Sequence, residues 1–142
     1  MSFLGKLLAG GGRFSPEQRA ELEAEGVEIL EDGVRGTVTW RQYRAPHRYS
    51  SFRKKGVYVA IALTARRLLV QRTGGKEIDV PLDHPGFLAI EASLDEPDRL
   101  CLAFDPGAFD PEASGRIEVR MSTPQAGRLL ERIRMRQVTQ GR

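Results

Sequence analysis

The sequence predicts a mainly-β domain: a small barrel of about seven short antiparallel strands, closed by an amphipathic C-terminal helix and preceded by an extra N-terminal helix. Three observations carry this prediction. Apolar residues between positions 34 and 121 recur with period two, the pattern of strands with one buried side. The breaks between those runs fall on Gly, Pro and Asp, which suit chain reversal. The two ends of the chain instead carry helix start signals. With 142 residues, 40% apolar and 29% charged, the chain has the size and balance of one soluble globular domain.

The first helix is read over Pro16 to Glu25. Ser15 serves as N-cap, Pro16 fits the first helical position, Gln18 completes a capping box and Gly26 stops the helix. Val27 to Leu30 reads as an extra edge strand. Val34, Val38 and Trp40 define the first strand of the barrel, and Val57, Val59, Ile61 and Leu63 the second. Leu68 and Val70 mark the third, and Ile78, Val80 and Leu82 the fourth. Phe87 to Glu91 is read as the fifth, Leu100, Leu102 and Phe104 as the sixth, and Ile117, Val119 and Met121 as the seventh. The last helix is expected over Pro124 to Gln137, capped by Ser122 or Thr123. Its residues Ala126, Leu129, Leu130 and Ile133 share one buried face.

Charge is distributed in blocks. Residues 34 to 72 hold ten Arg or Lys side chains and no carboxylate, whereas residues 73 to 112 hold ten carboxylates and two cations, Lys76 and Arg99. The basic block is densest in WRQYRAPHRYSSFRKKG, Trp40 to Gly56, where aromatics interleave with the cations. Arg41, Arg44, Arg48, Arg53, Lys54 and Lys55 are the candidate anion-binding residues. Guanidinium forks chelate phosphate oxygens in pairs, and each basic side chain near an anionic membrane contributes about 1 kcal/mol. The competing reading makes them solvated charges, or internal partners of the acidic block. Tyr43, Tyr49, Phe52 and Tyr58 suit base stacking, but aromatics beside strands are more often packed, so a weak nucleic-acid binder ranks last among the functions considered.

Little in the chain points to chemistry. Cys101 lies in an apolar strand and reads as a small core residue. His47 and His84 lack the spacing of a metal set, and Asp79, Asp83, Asp105, Asp110 and Glu112 read as turn residues rather than acid/base pairs or a calcium loop. No enzyme activity, cofactor or metal is expected. Phe3, Leu4, Leu7 and Leu8 form a short apolar cluster, too brief for a transmembrane or secretory segment. A single cysteine fits a reducing compartment, so the expected location is cytoplasmic or peripheral at the inner face of the membrane. Arg outnumbers Lys 18 to 4 alongside frequent Ala and Gly, a composition of high-GC bacterial genomes.

Seven strands followed by a closing helix is the element order of a pleckstrin homology (PH) domain. The segment Ala60 to Val70, AIALTARRLLV, resembles the hairpin of bacterial PH-like domains, in which an apolar strand ends in Leu-Thr, a short turn carries Arg and a second apolar strand follows. The resemblance covers Val34 to Val138 and divides the chain into a tail and helix, 1–33, and a PH-like domain, 34–142. It implies a split barrel and a non-catalytic binding scaffold, with ligands held by basic residues at the end of the first strand, in the first-hairpin loop, here Arg44 to Lys55, and at the start of the second strand. The pattern departs from the lipid-binding one at Gly56 and in the absence of basic residues from Val57 to Leu63. The expected partner is an anionic lipid surface or an acidic protein patch. The alternative is a structural homo-oligomer in which the basic block of one copy meets the acidic block of the next.

Overall fold

The computed structural model describes residues 11–141. The apolar cluster Phe3 to Leu8 lies outside the described residues. Helix α1 (Pro16–Glu25) is followed by β1 (Val27–Ala45), β2 (Arg48–Thr64), β3 (Arg67–Arg72) and β4 (Gly75–Pro81). A one-turn helix α2 (Pro85–Leu88) then leads to β5 (Glu91–Glu96), β6 (Arg99–Phe104), β7 (Ser114–Ser122) and the C-terminal helix α3 (Ala126–Gln140).

The seven strands form one antiparallel sheet in the order β4-β3-β2-β1-β7-β6-β5. It is not closed: β4 and β5 are its two edges and do not pair. Yet Val59 and Ile61 of β2, Val70 of β3, Ile78 of β4, Leu102 of β6 and Val119 of β7 belong to one buried cluster, so the sheet coils around a single core. Ala126, Leu129 and Ile133 of α3 are fully buried in that cluster, as the 3.6-residue spacing requires. Helix α3 packs on β5 and β6, while α2 touches β4 and α3, so helices rather than hydrogen bonds span the gap.

Several expectations are corrected. Val27–Leu30 is no separate edge strand; it is the start of β1, pairing Val27 with Thr64 across to β2. Two register shifts, between Val27 and Ile29 and between Glu31 and Val34, hide this continuity by moving the apolar face within the strand. Position 33/34 thus falls inside β1. Residues 87–91 are not a strand, because His84 caps α2, its Nδ1 accepting from the Gly86 amide at 2.8 Å; the strand begins at Glu91. Helix α3 starts at Ala126 and lacks a side-chain cap; the Thr123 hydroxyl instead accepts from the Gln125 amide and donates to Glu31.

Helix α1 has the bounds its caps imply. Ser15 and Gln18 bond reciprocally, and Gly26 adopts the left-handed conformation with φ 85°. Its Leu22, together with Phe14, covers Ala60, Ala62 and Leu69 on the outer face of β2 and β3. This second cluster is why Val59 to Thr64 is buried on both faces. Arg67 fastens the helix to the sheet, reaching Glu21, Glu25 and Asp79.

Candidate functional site

The basic segment read as a loop is a strand. β1 and β2 stay paired as a ribbon up to a turn at Pro46 and His47; β7 accompanies β1 as far as Arg44, while β3 pairs with β2 only as far as Val59, so β2 runs on without a neighbour on that side. Proline fixes φ near −65°, and His47 follows at φ 62°, the left-handed second position of a type II turn. The ribbon has its own cross-strand pairing logic. Trp40 lies opposite Arg53, Arg41 opposite Phe52, and Arg44 opposite Tyr49. In each pair the guanidinium carbon sits over the ring, at 5.3, 5.3 and 4.7 Å from its centroid respectively. Cross-strand cation–π pairs at exposed sites contribute about 0.5–1 kcal/mol each. The interleaving of aromatics and arginines therefore holds a solvated hairpin together.

A bulge then aims the ribbon. Gln42 takes φ 48°, and the β1–β7 register shifts between Arg41 and Arg44. Tyr43 is thereby brought to the same face as Trp40, and both pack against the rim of the core. Gly115 on β7, at φ 119°, permits the close approach to the carbonyls of Arg41 and Gln42 that the bulge demands.

Beside this face lies an open cleft of 350 Å³, floored by Trp40 and Tyr43. Arg48, Arg53 and Lys55 line it from β2, and Arg72 and Lys76 line it from the β3–β4 hairpin, against a single carboxylate, Glu77. Glu77 is itself bound to Arg72 Nε at 2.5 Å, and Arg72 also covers Trp40 at 5.5 Å from the indole centroid. The indole is thus flanked by two guanidiniums. Lys76 is held by Asp79 at 3.1 Å. Among the described residues, Arg48, Arg53 and Lys55 have no carboxylate partner.

The six candidate residues separate into three groups. Arg48, Arg53 and Lys55 line the cleft. Lys54 is exposed and, one residue out of phase with Arg53 and Lys55, does not line it. Arg41 and Arg44 face elsewhere. Arg44 covers Tyr49, while Arg41 joins Arg116 and Arg120 around Glu118 on the outer face of the sheet, at 3.2, 2.9 and 3.1 Å. Burial alone would push the Glu118 carboxyl up; the hydrogen bonds from Arg116, Arg120 and Arg41 outweigh it and hold it at about 2. The same lattice extends through Arg116 to Glu91 and through Arg120 to Asp95.

Sequence reading missed Trp40 and Tyr43 as the floor and Arg72 and Lys76 as the far wall. The signal was present in Arg72-Thr73-Gly74-Gly75-Lys76, a tight turn with a cation on each side, though only the fold places it opposite the first hairpin. Other residues singled out have local roles. Asp105 accepts from the Gly107 amide, Asp110 from the Glu112 amide, and Asp79 pairs with Arg67 and Lys76. Cys101 is buried, and that burial raises its thiol pKa. Among the described residues no cluster of three His, Cys, Asp or Glu is placed to hold a metal, and no helix is long and apolar enough to cross a membrane. No protein-family model matches the chain, and no curated protein matches it.

Proposed function

We propose that this protein is a non-catalytic binding module of PH-like architecture that engages an anionic surface through the cleft between the β1–β2 and β3–β4 hairpins. The observation carrying the reading is the convergence of Arg48, Arg53, Lys55, Arg72 and Lys76 from two hairpins onto one open cleft with one internally neutralised carboxylate. Cations without internal partners, gathered on one face, keep their charge available for an external anion. The guanidiniums of Arg48 and Arg53 offer paired donors to phosphate oxygens, and the flanked indole gives the face an amphipathic floor suited to the headgroup region of a membrane. Seven antiparallel strands followed by a packed C-terminal helix support the PH-like reading of the scaffold.

The oligomer of complementary charge blocks draws less support. Glu77, Asp79, Glu91 and Asp95 of the acidic block are all engaged by Arg or Lys of the same chain. The nucleic-acid reading also weakens, because the exposed rings of Tyr49 and Phe52 are already covered by Arg44 and Arg41.

The test is co-sedimentation with vesicles of phosphatidylcholine alone and with added phosphatidylserine, at low and physiological salt, with light scattering on the free protein. Binding by a monomer to the anionic vesicles, weakened by salt, supports the reading. Absence of binding together with a defined oligomer in solution supports the structural alternative.

A further inference from the structure

The ribbon that carries the cations also carries a bare strand edge. β2 pairs with β1 over its whole length, but β3 pairs with β2 only from Val59 to Leu63. The last bonds on the β3 side link Tyr58 to Thr73: the Thr73 amide donates to the Tyr58 carbonyl at 3.0 Å, and the Tyr58 amide to the Thr73 hydroxyl at 3.2 Å. From Gly56 back to Arg48, no described strand lies on that side. In an antiparallel strand both backbone groups of a residue point the same way and alternate along the chain. Since Tyr58 points toward β3, Gly56, Lys54 and Phe52 turn their N–H and C=O groups outward. This edge is about 30 Å long.

Native sheets protect such edges, and the two outer strands of this sheet are partly covered. The Ala92 carbonyl of β5 is taken by Arg134 of α3, and β4 ends in a proline beside α2. Among the described residues the β2 edge has no such cover, only the charges Arg48, Arg53, Lys54 and Lys55 with no acid among them. Self-pairing of this edge between two copies would set these cations against each other. An acidic strand would meet them favourably.

We infer that the β2 edge from Arg48 to Gly56 accepts an extended acidic segment of a partner protein by strand addition. The backbone of the edge supplies the hydrogen bonds, and the four cations select carboxylates and reject basic or neutral strands. Just past the end of β3, a shallow and largely apolar groove of 360 Å³ bordered by Gly56, Val57, Tyr58 and Thr73, with Arg35, Gly36 and Lys55 on its β1 and β2 side, takes an apolar side chain at the end of the incoming strand. The backbone groups of the edge lie outside the cleft, but Arg48, Arg53 and Lys55 also line it, so the two readings share three cations and are separated by the backbone donors tested below.

The test uses the full chain and a synthetic peptide of five Thr-Glu repeats, followed by amide hydrogen exchange at Phe52 and Lys54. Binding with slowed exchange at both amides is expected. A peptide of the same sequence and charge, N-methylated at every residue so that it has no backbone donor on either edge, is expected to bind at least tenfold more weakly. Lys54→Pro, which removes an outward donor while leaving the β1 ladder bonded, is expected to lose the peptide yet still bind phosphatidylserine vesicles. Equal binding of both peptides would overturn the inference, since charge alone would then explain it, as would absence of binding. It is also overturned if the two amides are already protected in the free chain, whether by residues 1–10, shown by loss of protection on deleting them, or by a second copy, shown by a dimer in light scattering.

Discussion

Glu118 shows how a single side chain is made to serve the scaffold rather than a ligand. Three arginines from two strands hold its carboxyl at about 2, well below the ordinary value of 4.5. A depressed pKa contributes stability above the unfolded value and loses it as pH falls through the folded one. Stability should therefore fall between about pH 4.5 and 2, with Glu118→Gln abolishing that component. Partial exposure of Arg41 and Arg116 limits the contribution to about 2 kcal/mol, measured by urea unfolding at pH 6 and pH 3. Trp40, by contrast, is placed to report on an anion in the proposed cleft. It is the chain's one tryptophan, set between Arg53 and Arg72 at the cleft floor. Pyrophosphate drawing either guanidinium off the indole is expected to change its emission, and Lys76→Glu to suppress that change; an unaltered spectrum at saturating vesicle binding would place the anion elsewhere.

At the scale of elements, the hairpin is a strand pair stabilised by its own cations. His47 at φ 62° tests the turn: His47→Gly relieves the left-handed conformation and leaves the fold at least as stable, whereas His47→Val places a β-branched residue there and costs about 1–2 kcal/mol by thermal or urea unfolding. Helix α1 rests on the reciprocal bonds of Ser15 and Gln18, so Ser15→Ala is expected to cost about 1 kcal/mol by the same measurement. What the sequence made legible follows from these local rules. Caps and prolines are written within four residues, so α1 was readable to its ends. Period-two runs were readable wherever one face is buried. The ribbon was not, because from Arg44 to Lys55 neither face is packed and no hydrophobic alternation exists to reveal a strand. The fifth strand was misplaced for a related reason: Phe87 is fully buried by a helical turn that His84 caps, and burial alone does not distinguish the two conformations.

At the scale of the whole molecule, charge blocks become directions. Arg41 and Arg67 of the basic block are consumed in fastening strand to strand and helix to sheet, and Glu77, Asp79, Glu91 and Asp95 of the acidic block are held by Arg or Lys of the same chain. What is left over emerges at the cleft and along the β2 edge. The sequence thus marks the basic block as a source of cations but not which of them are left without a carboxylate partner by the fold. The decisive quantities, strand phase and the approach of β3–β4, are set by long-range pairing. Neighbouring residues of opposite phase give the sharpest comparison. Lys55 lines the cleft and Lys54 does not, yet Lys54→Glu and Lys55→Glu change the net charge equally and lie one residue apart. The measurement is the affinity of each variant for phosphatidylserine vesicles at physiological salt. A loss for Lys55→Glu at least fivefold greater than for Lys54→Glu is expected if the cleft holds the anion; equal losses would show that the overall positive field, and not the cleft, does the binding.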